Sequence, residues 1–104
     1  MDFTSAKDFT GQAAWDALDL LEFHEPVTVR LHWTDAPYIW HVNDGEEVFA
    51  VLDGEVDMHY RSGGVEKVVH MRAGDICRAG VGDEHVARPR GQARVLVVEK
   101  KGSV

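Results

Sequence analysis

Apolar residues recur at every second position through most of the chain. Val27, Val29, Leu31 and Trp33 alternate with Thr28, Arg30 and His32. That period of two marks a strand with one apolar and one polar face. Val56, Met58 and Tyr60 stand in the same relation to Asp57, His59 and Arg61. Between such runs lie turn formers: Asp44-Gly45, Asp53-Gly54, Ser62-Gly63-Gly64 and Gly74-Asp75. The pattern predicts strands over residues 18–23, 27–33, 38–43, 46–52, 55–61, 65–71, 76–79, 85–88 and 93–99. Thr10 as an N-cap predicts one short helix over residues 11–17, with Trp15 and Leu18 on one side. About nine short strands with a short N-terminal helix at most indicate an all-β antiparallel sandwich or barrel.

One strand departs from simple alternation. In residues 46–52, Glu47, Phe49 and Val51 share one face, while Val48, Ala50 and Leu52 share the other. Both faces are apolar, so both are expected to be covered. The inner face is covered by the barrel. The outer one needs the N-terminal segment, with Phe3, Phe9 and Trp15, or a second copy of the chain in a homodimer.

The 104 residues suit one domain, with the barrel over about residues 27–99 and residues 1–26 as N-terminal segment and first strand. With 18 acidic against 11 basic residues, the net charge of −7 argues against nucleic acid or an anionic membrane as partner. The apolar runs are too short for a transmembrane helix, and residues 1–20 lack the basic start and apolar stretch of a secretory signal. Cys77 is the only cysteine, which leaves no internal disulfide and suits a reducing compartment. A cytoplasmic protein is expected.

The chemistry gathers between residues 40 and 47. His41 and Asn43 are two apart on a strand and point the same way. After the Asp44-Gly45 turn, Glu47 returns beside them in phase with Phe49 and Val51, which would bury its carboxylate in an apolar interior. Such a carboxylate calls for a metal or a cationic partner. His85, after the Gly-rich loop of residues 80–84, is a second imidazole. Two imidazoles and a carboxylate suit Fe(II), and equally Mn, Ni, Co or Zn. A hydrogen-bonded structural His41 and a solvent-facing Glu47 are the plain alternatives, and spacing in one strand pair does not exclude them. Arg30, His32 and Arg78 are candidates for an anion-binding pocket mouth, although ordinary surface positions explain them as well. His24, His59 and His70 fall on exposed surface. Trp33, Tyr38, Trp40 and Tyr60 suit core or interface. Cys77 reads as a buried, inert thiol.

His41-x-Asn43-x-x-x-Glu47, with Gly54 after six intervening residues, resembles the first cupin motif of His-x-His, a short gap, Glu, six residues and Gly. Gly74-Asp75-x-x-x-x-Gly80-x-Gly82-x-x-His85 resembles the second, Gly, five residues, Pro-x-Gly, two residues and His. Asn43 stands in place of the family's second His, Gly80 in place of Pro, and Pro89 in place of the frequent closing Asn. The resemblance implies a small jelly-roll cupin barrel, commonly dimeric, with one divalent metal ion at His41, Glu47 and His85, and Asn43 beside it as a weaker donor. Two functions follow. One is a metal-dependent enzyme of oxygenase, isomerase or lyase type acting on a small polar metabolite. The other is a non-catalytic ligand-binding or sensing cupin with weak or no metal.

Overall fold

A computed structural model describes residues 6–22 and 26–103; residues 1–5, 23–25 and 104, with them Phe3 and His24, lie outside the described residues. Nine strands follow a single 3₁₀ turn at Ala6–Asp8: β1 (Asp16–Glu22), β2 (Val27–Thr34), β3 (His41–Val42), β4 (Glu47–Asp53), β5 (Glu55–Ser62), β6 (Val65–Arg72), β7 (Ile76–Ala79), β8 (Glu84–Pro89) and β9 (Ala93–Lys100). They form two antiparallel sheets in jelly-roll order, β1-β2-β9-β4-β7 and β3-β8-β5-β6. The predicted strands are recovered within a residue or two, except that the one over 38–43 shrinks to His41–Val42. Among the described residues no helix is long and apolar enough to cross a membrane.

The core lies between the sheets. Phe49 and Val51 of β4 meet Val95 and Val97 of β9 on one side, and Val56, Met58, Met71 and Ala87 on the other. The Asp53-Gly54 turn closes against β9. Gly54 has φ +80°, and a Cβ there would sit 2.3 Å from the Gln92 carbonyl oxygen, so only glycine fits.

The helix predicted over residues 11–17 does not form. The Asp16 carboxylate accepts the Gln12 N–H at 3.1 Å, and Trp15 takes a left-handed φ of 62° before β1 begins. This side chain-to-backbone bond offers the chain a turn that competes with the helix. Residues 6–11 form instead a strap against the outer face of the larger sheet, and Trp15 turns in toward the core. Arg94 fastens it: its guanidinium donates to the Phe9 carbonyl, to Thr10 Oγ1 at 3.0 Å and to Asp53 Oδ2 at 2.7 Å.

The strap explains the faces of β2. Its apolar side turns outward, where Leu31 and Trp33 are buried, and a Cβ on Gly11 would touch the Trp33 ring. The polar side faces the barrel interior. On β4, Glu47, Phe49, Ala50 and Val51 are buried as expected, but Val48 and Leu52 stay exposed on the outer face. His59 and His70 are partly buried rather than free on the surface. His70 is clamped between Asp57 and Glu55 at 2.8 and 2.9 Å, because alternation puts all three on the outer face of β5 and β6.

Candidate functional site

His41 and His85 face each other in the β3–β8 ladder, so both imidazoles leave the same side of that sheet. Their ring centres are 4.3 Å apart, tilted by 57°. Glu47 opens β4 in the opposite sheet and points across the barrel. Its Oε1 lies 3.3 Å from His85 Nε2. Asn43 is pinned by the loop before β8: its N–H donates to the Asp83 carbonyl, and its carbonyl accepts from the Gly82 N–H, both at 2.9 Å. That puts Asn43 Oδ1 2.5 Å from His85 Nε2, while Asn43 Nδ2 donates to the Gly45 carbonyl at 3.3 Å. Glu47, Asn43 and His85 are each no more than 8% exposed.

His85 has one Nε2 proton, and Asn43 takes it. Glu47 Oε1 is therefore buried without a hydrogen bond despite its closeness to that nitrogen. The other neighbour of Glu47 is Glu99, its cross-strand partner on β9. Two carboxyl groups this close in a dry interior do not both ionise. Burial, then the hydrogen bond to Glu47 and its charge, push Glu99 up to about 8, so Glu99 keeps the proton. Burial also pushes Glu47 upward, but the closeness of His85, the neighbouring Glu99 carboxyl and His41 outweigh it and hold Glu47 below the usual range. Glu47 keeps the charge.

A cavity of about 210 Å³ opens on this cluster, walled by Trp15, His32, Tyr38, His41, Glu47 and Glu99, with Arg30 at its edge. Trp15, held by the strap, meets Tyr38 edge to face at 5.2 Å, and Tyr38 meets His41 likewise at 5.3 Å. Burial pulls the His32 imidazole below its ordinary pKa, against the opposing bond to the Trp15 carbonyl. Arg30 is tied to Asp19 at 2.8 Å. Arg30 and His32 thus line a pocket, as one of their two sequence readings had it. Arg78 stands elsewhere, on the rim of a second cavity. Cys77 faces inward, and burial with the Glu47 charge pushes its thiol up to about 11, so it is no nucleophile.

Glu99, Trp15 and Tyr38 were not singled out by sequence as site residues. The signal for Glu99 was present: it is in phase with Ala93, Val95 and Val97 as Glu47 is with Phe49 and Val51. Trp15 carried no such signal, since the Arg94 latch that places it is a long-range contact.

The donor types suit a divalent ion. His41 Nδ1 donates to the Ile39 carbonyl at 2.9 Å, which leaves the Nε2 lone pair free, as a ligand imidazole requires. Glu47 Oε1 is a buried oxygen that lacks a partner. The spacing is tighter than a metal shell. Ligands at about 2.1 Å from one ion stand about 3 Å apart, so the 2.5 Å between Asn43 and His85 is a direct hydrogen bond. Among the described residues no three His, Cys, Asp or Glu side chains form a ready-made site. The residues fit an ion in kind, provided that the Asn43 amide turns aside.

No protein-family model matches the chain, and no curated protein matches it significantly. Solved structures do. A cupin-2 domain protein from Shewanella frigidimarina has a TM-score of 0.75 at 20% identity, covering 88% of this chain and 85% of its own. A cupin superfamily protein from Desulfitobacterium hafniense has a TM-score of 0.76 at 12% identity, covering 92% and 86%. A hydroquinone 1,2-dioxygenase in complex with Fe³⁺ has a TM-score of 0.75 at 18% identity, over 86% of this chain and 29% of its own. These identities establish fold and nothing finer. With the jelly-roll strand order and both inward-facing histidines already in place, the chain has the cupin fold.

Proposed function

We propose that this protein is a small-molecule pocket protein that holds one divalent metal ion at His41, Glu47 and His85, with Asn43 beside it. It acts there on a metabolite whose polar oxygens enter the cavity. The observation that carries this reading is the buried, unpartnered Glu47 oxygen 3.3 Å from His85 Nε2, with the His41 ring packed on His85. When bound, such an ion supplies a Lewis-acid centre for substrate oxygens.

The chain's own residues supply the rest. Trp15 and Tyr38 wall the cavity and limit water. Glu99 carries a proton at neutral pH and can give it up beside Glu47. Arg30 offers a cation at the edge. An oxygenase, isomerase or lyase reaction suits this set, and the dioxygenase among the structural neighbours supports the first of these. A homodimer in a reducing compartment also suits the chain. Leu18, Val48, Leu52 and Ile76 leave exposed apolar surface on the outer face of the larger sheet.

The test is titration of metal-free protein with Mn²⁺, Co²⁺, Ni²⁺, Zn²⁺ and, anaerobically, Fe²⁺. One ion per chain should bind, and His85→Ala should abolish binding. No saturable binding to the wild type, or unchanged binding to His85→Ala, rejects the reading.

A second reading, ligand capture without turnover, is favoured by the Asn43–His85 bond, which satisfies that imidazole with no ion present. It predicts a folded protein that binds organic ligands and no metal.

A further inference from the structure

The barrel gapes on one side. β6 and β7 are the terminal strands of their sheets and do not pair with each other. Between them and β5 lies a second cavity of about 620 Å³, within the range of sites for drug-sized molecules and about three times the volume of the first. Its wall is apolar: Met58 and Tyr60 from β5, Val69 and Met71 from β6, and Cys77 from β7. Two of these are methionines, whose unbranched side chains adapt to varied ligands. Val69 sits opposite the inward-facing Met58, yet is 49% exposed. Strand register lays the cleft along β7. Met71 and Asp75 stand at one end, and Tyr60 and His85, which are cross-strand partners, at the other.

The charges around it are unequally engaged. Arg61 and Glu84 neutralise each other at 2.6 Å. Lys67 is the cross-strand partner of Tyr60 at the same end. Arg78 is in register with the outward-facing Val48 and leans toward Glu46 on the outer face of the larger sheet. Arg72 leans toward Glu55 at 3.7 Å on the outer face of the smaller one. That leaves Asp75 and Asp83. Each accepts one backbone N–H, from Arg72 and Gly80, and neither has an ion-pair partner among the described residues. Asp75 stands at the end away from Arg61 and Lys67. An apolar cleft with an uncompensated carboxylate at its end, in a chain of net charge −7, complements a cation with an apolar body.

We propose that this cleft binds a primary amine with an apolar body, alkyl or arylalkyl. The ammonium rests at Asp75, and the body lies along Met71, Val69 and Met58 toward His85. This names a ligand class for the small-molecule reading above and rests on that reading only where the far end of the molecule meets His85.

Calorimetry on the whole metal-free chain tests this with n-octylamine and 3-phenylpropylamine, both charged at neutral pH. Methylamine, 1-octanol and octanoate are the controls. Both long amines should bind, and methylamine should not. The alcohol should bind more weakly than octylamine, and octanoate more weakly still. Val69→Trp fills the cleft from a half-exposed position and should weaken octylamine by more than about tenfold. Val69→Lys, which places a like charge there, should do the same and serves if the Trp variant fails to fold. Asp75→Asn keeps an oxygen for the Arg72 N–H and removes the charge. It should weaken octylamine by roughly three- to fivefold, as loss of an exposed ion pair does, and leave 1-octanol unchanged. Octanoate as tight as octylamine, indifference to both Val69 variants, or a larger loss in Asp83→Asn than in Asp75→Asn overturns the proposal whatever the metal does. Absence of metal binding with intact octylamine binding rejects the metal reading alone.

Discussion

Replacing Arg94 by Met tests whether the N-terminal strap is a fixed part of the barrel. Arg94 is buried at 9% exposure, and its guanidinium joins Asp53, Thr10 and the Phe9 carbonyl. Methionine keeps much of the stem volume and removes all three bonds. Breaking a fully buried ion pair costs about 3–5 kcal/mol. The Asp53 side chain is 32% exposed and can rehydrate, which brings the expected loss down to about 2–3 kcal/mol.

Urea unfolding followed by circular dichroism should give that difference as a lower midpoint at unchanged slope. Hydrogen exchange locates it. The Phe9 and Asp16 amides, bonded to the Ala6 and Ala13 carbonyls, should lose protection well before the amides of β9. A loss below about 0.5 kcal/mol, the range of an ordinary surface substitution, would refute the reasoning. So would unchanged exchange in the strap. Either result would mean that something other than Arg94 holds Trp15 over the cavity.

Asn43→His should tighten metal binding, since imidazole is the better donor to Fe, Co, Ni or Zn; equal affinity in a paired titration would place position 43 outside the metal shell. Burial holds His32 below the ordinary imidazole value of about 6.5, so the unfolded chain takes up the proton first as pH falls. Its contribution to stability is present above about pH 6.5 and is lost as pH drops through the lowered folded pKa. Melting temperatures between about pH 8 and 5 should therefore fall more steeply for the wild type than for His32→Gln; parallel curves would reject this. Light scattering should show a dimer that Leu52→Arg dissociates, because Leu52 is 43% exposed on the apolar outer face; a monomeric wild type ends that idea.

Alternation made the strands legible because a sheet imposes its period of two directly on residue type. It distinguished the two faces of β2 but not which one turns inward, since the outer face is covered by chain arriving from residues 6–11. The inward course of Glu47 could be read from Phe49 and Val51. The pairing of His41 with His85 depends on strand register, which only the resemblance to the two motifs supplied. The helix expected after Thr10 was lost to a local competitor, the Asp16 carboxylate.

Asn43 is the departure from the family pattern with the most direct physical consequence. An imidazole at position 43 would bring a second ring nitrogen, the better donor to a transition metal, toward His85. The Asn43 amide instead accepts from His85 through Oδ1 and donates to Gly45 through Nδ2. In the metal-free cluster the Glu47 oxygen and the Trp15 Nε1 in the cavity wall remain buried without partners, and the His41 Nε2 lone pair stays free. Any ion that enters must first break the His85–Asn43 bond and shift the ring proton of His85 from Nε2 to Nδ1. A buried hydrogen bond left unmade costs about 1–3 kcal/mol, which is roughly a 5- to 150-fold loss in affinity. The weak-metal and ligand-capture readings therefore share one atomic cause. They separate on whether the attraction of Glu47 for an ion exceeds the hold of Asn43 on His85.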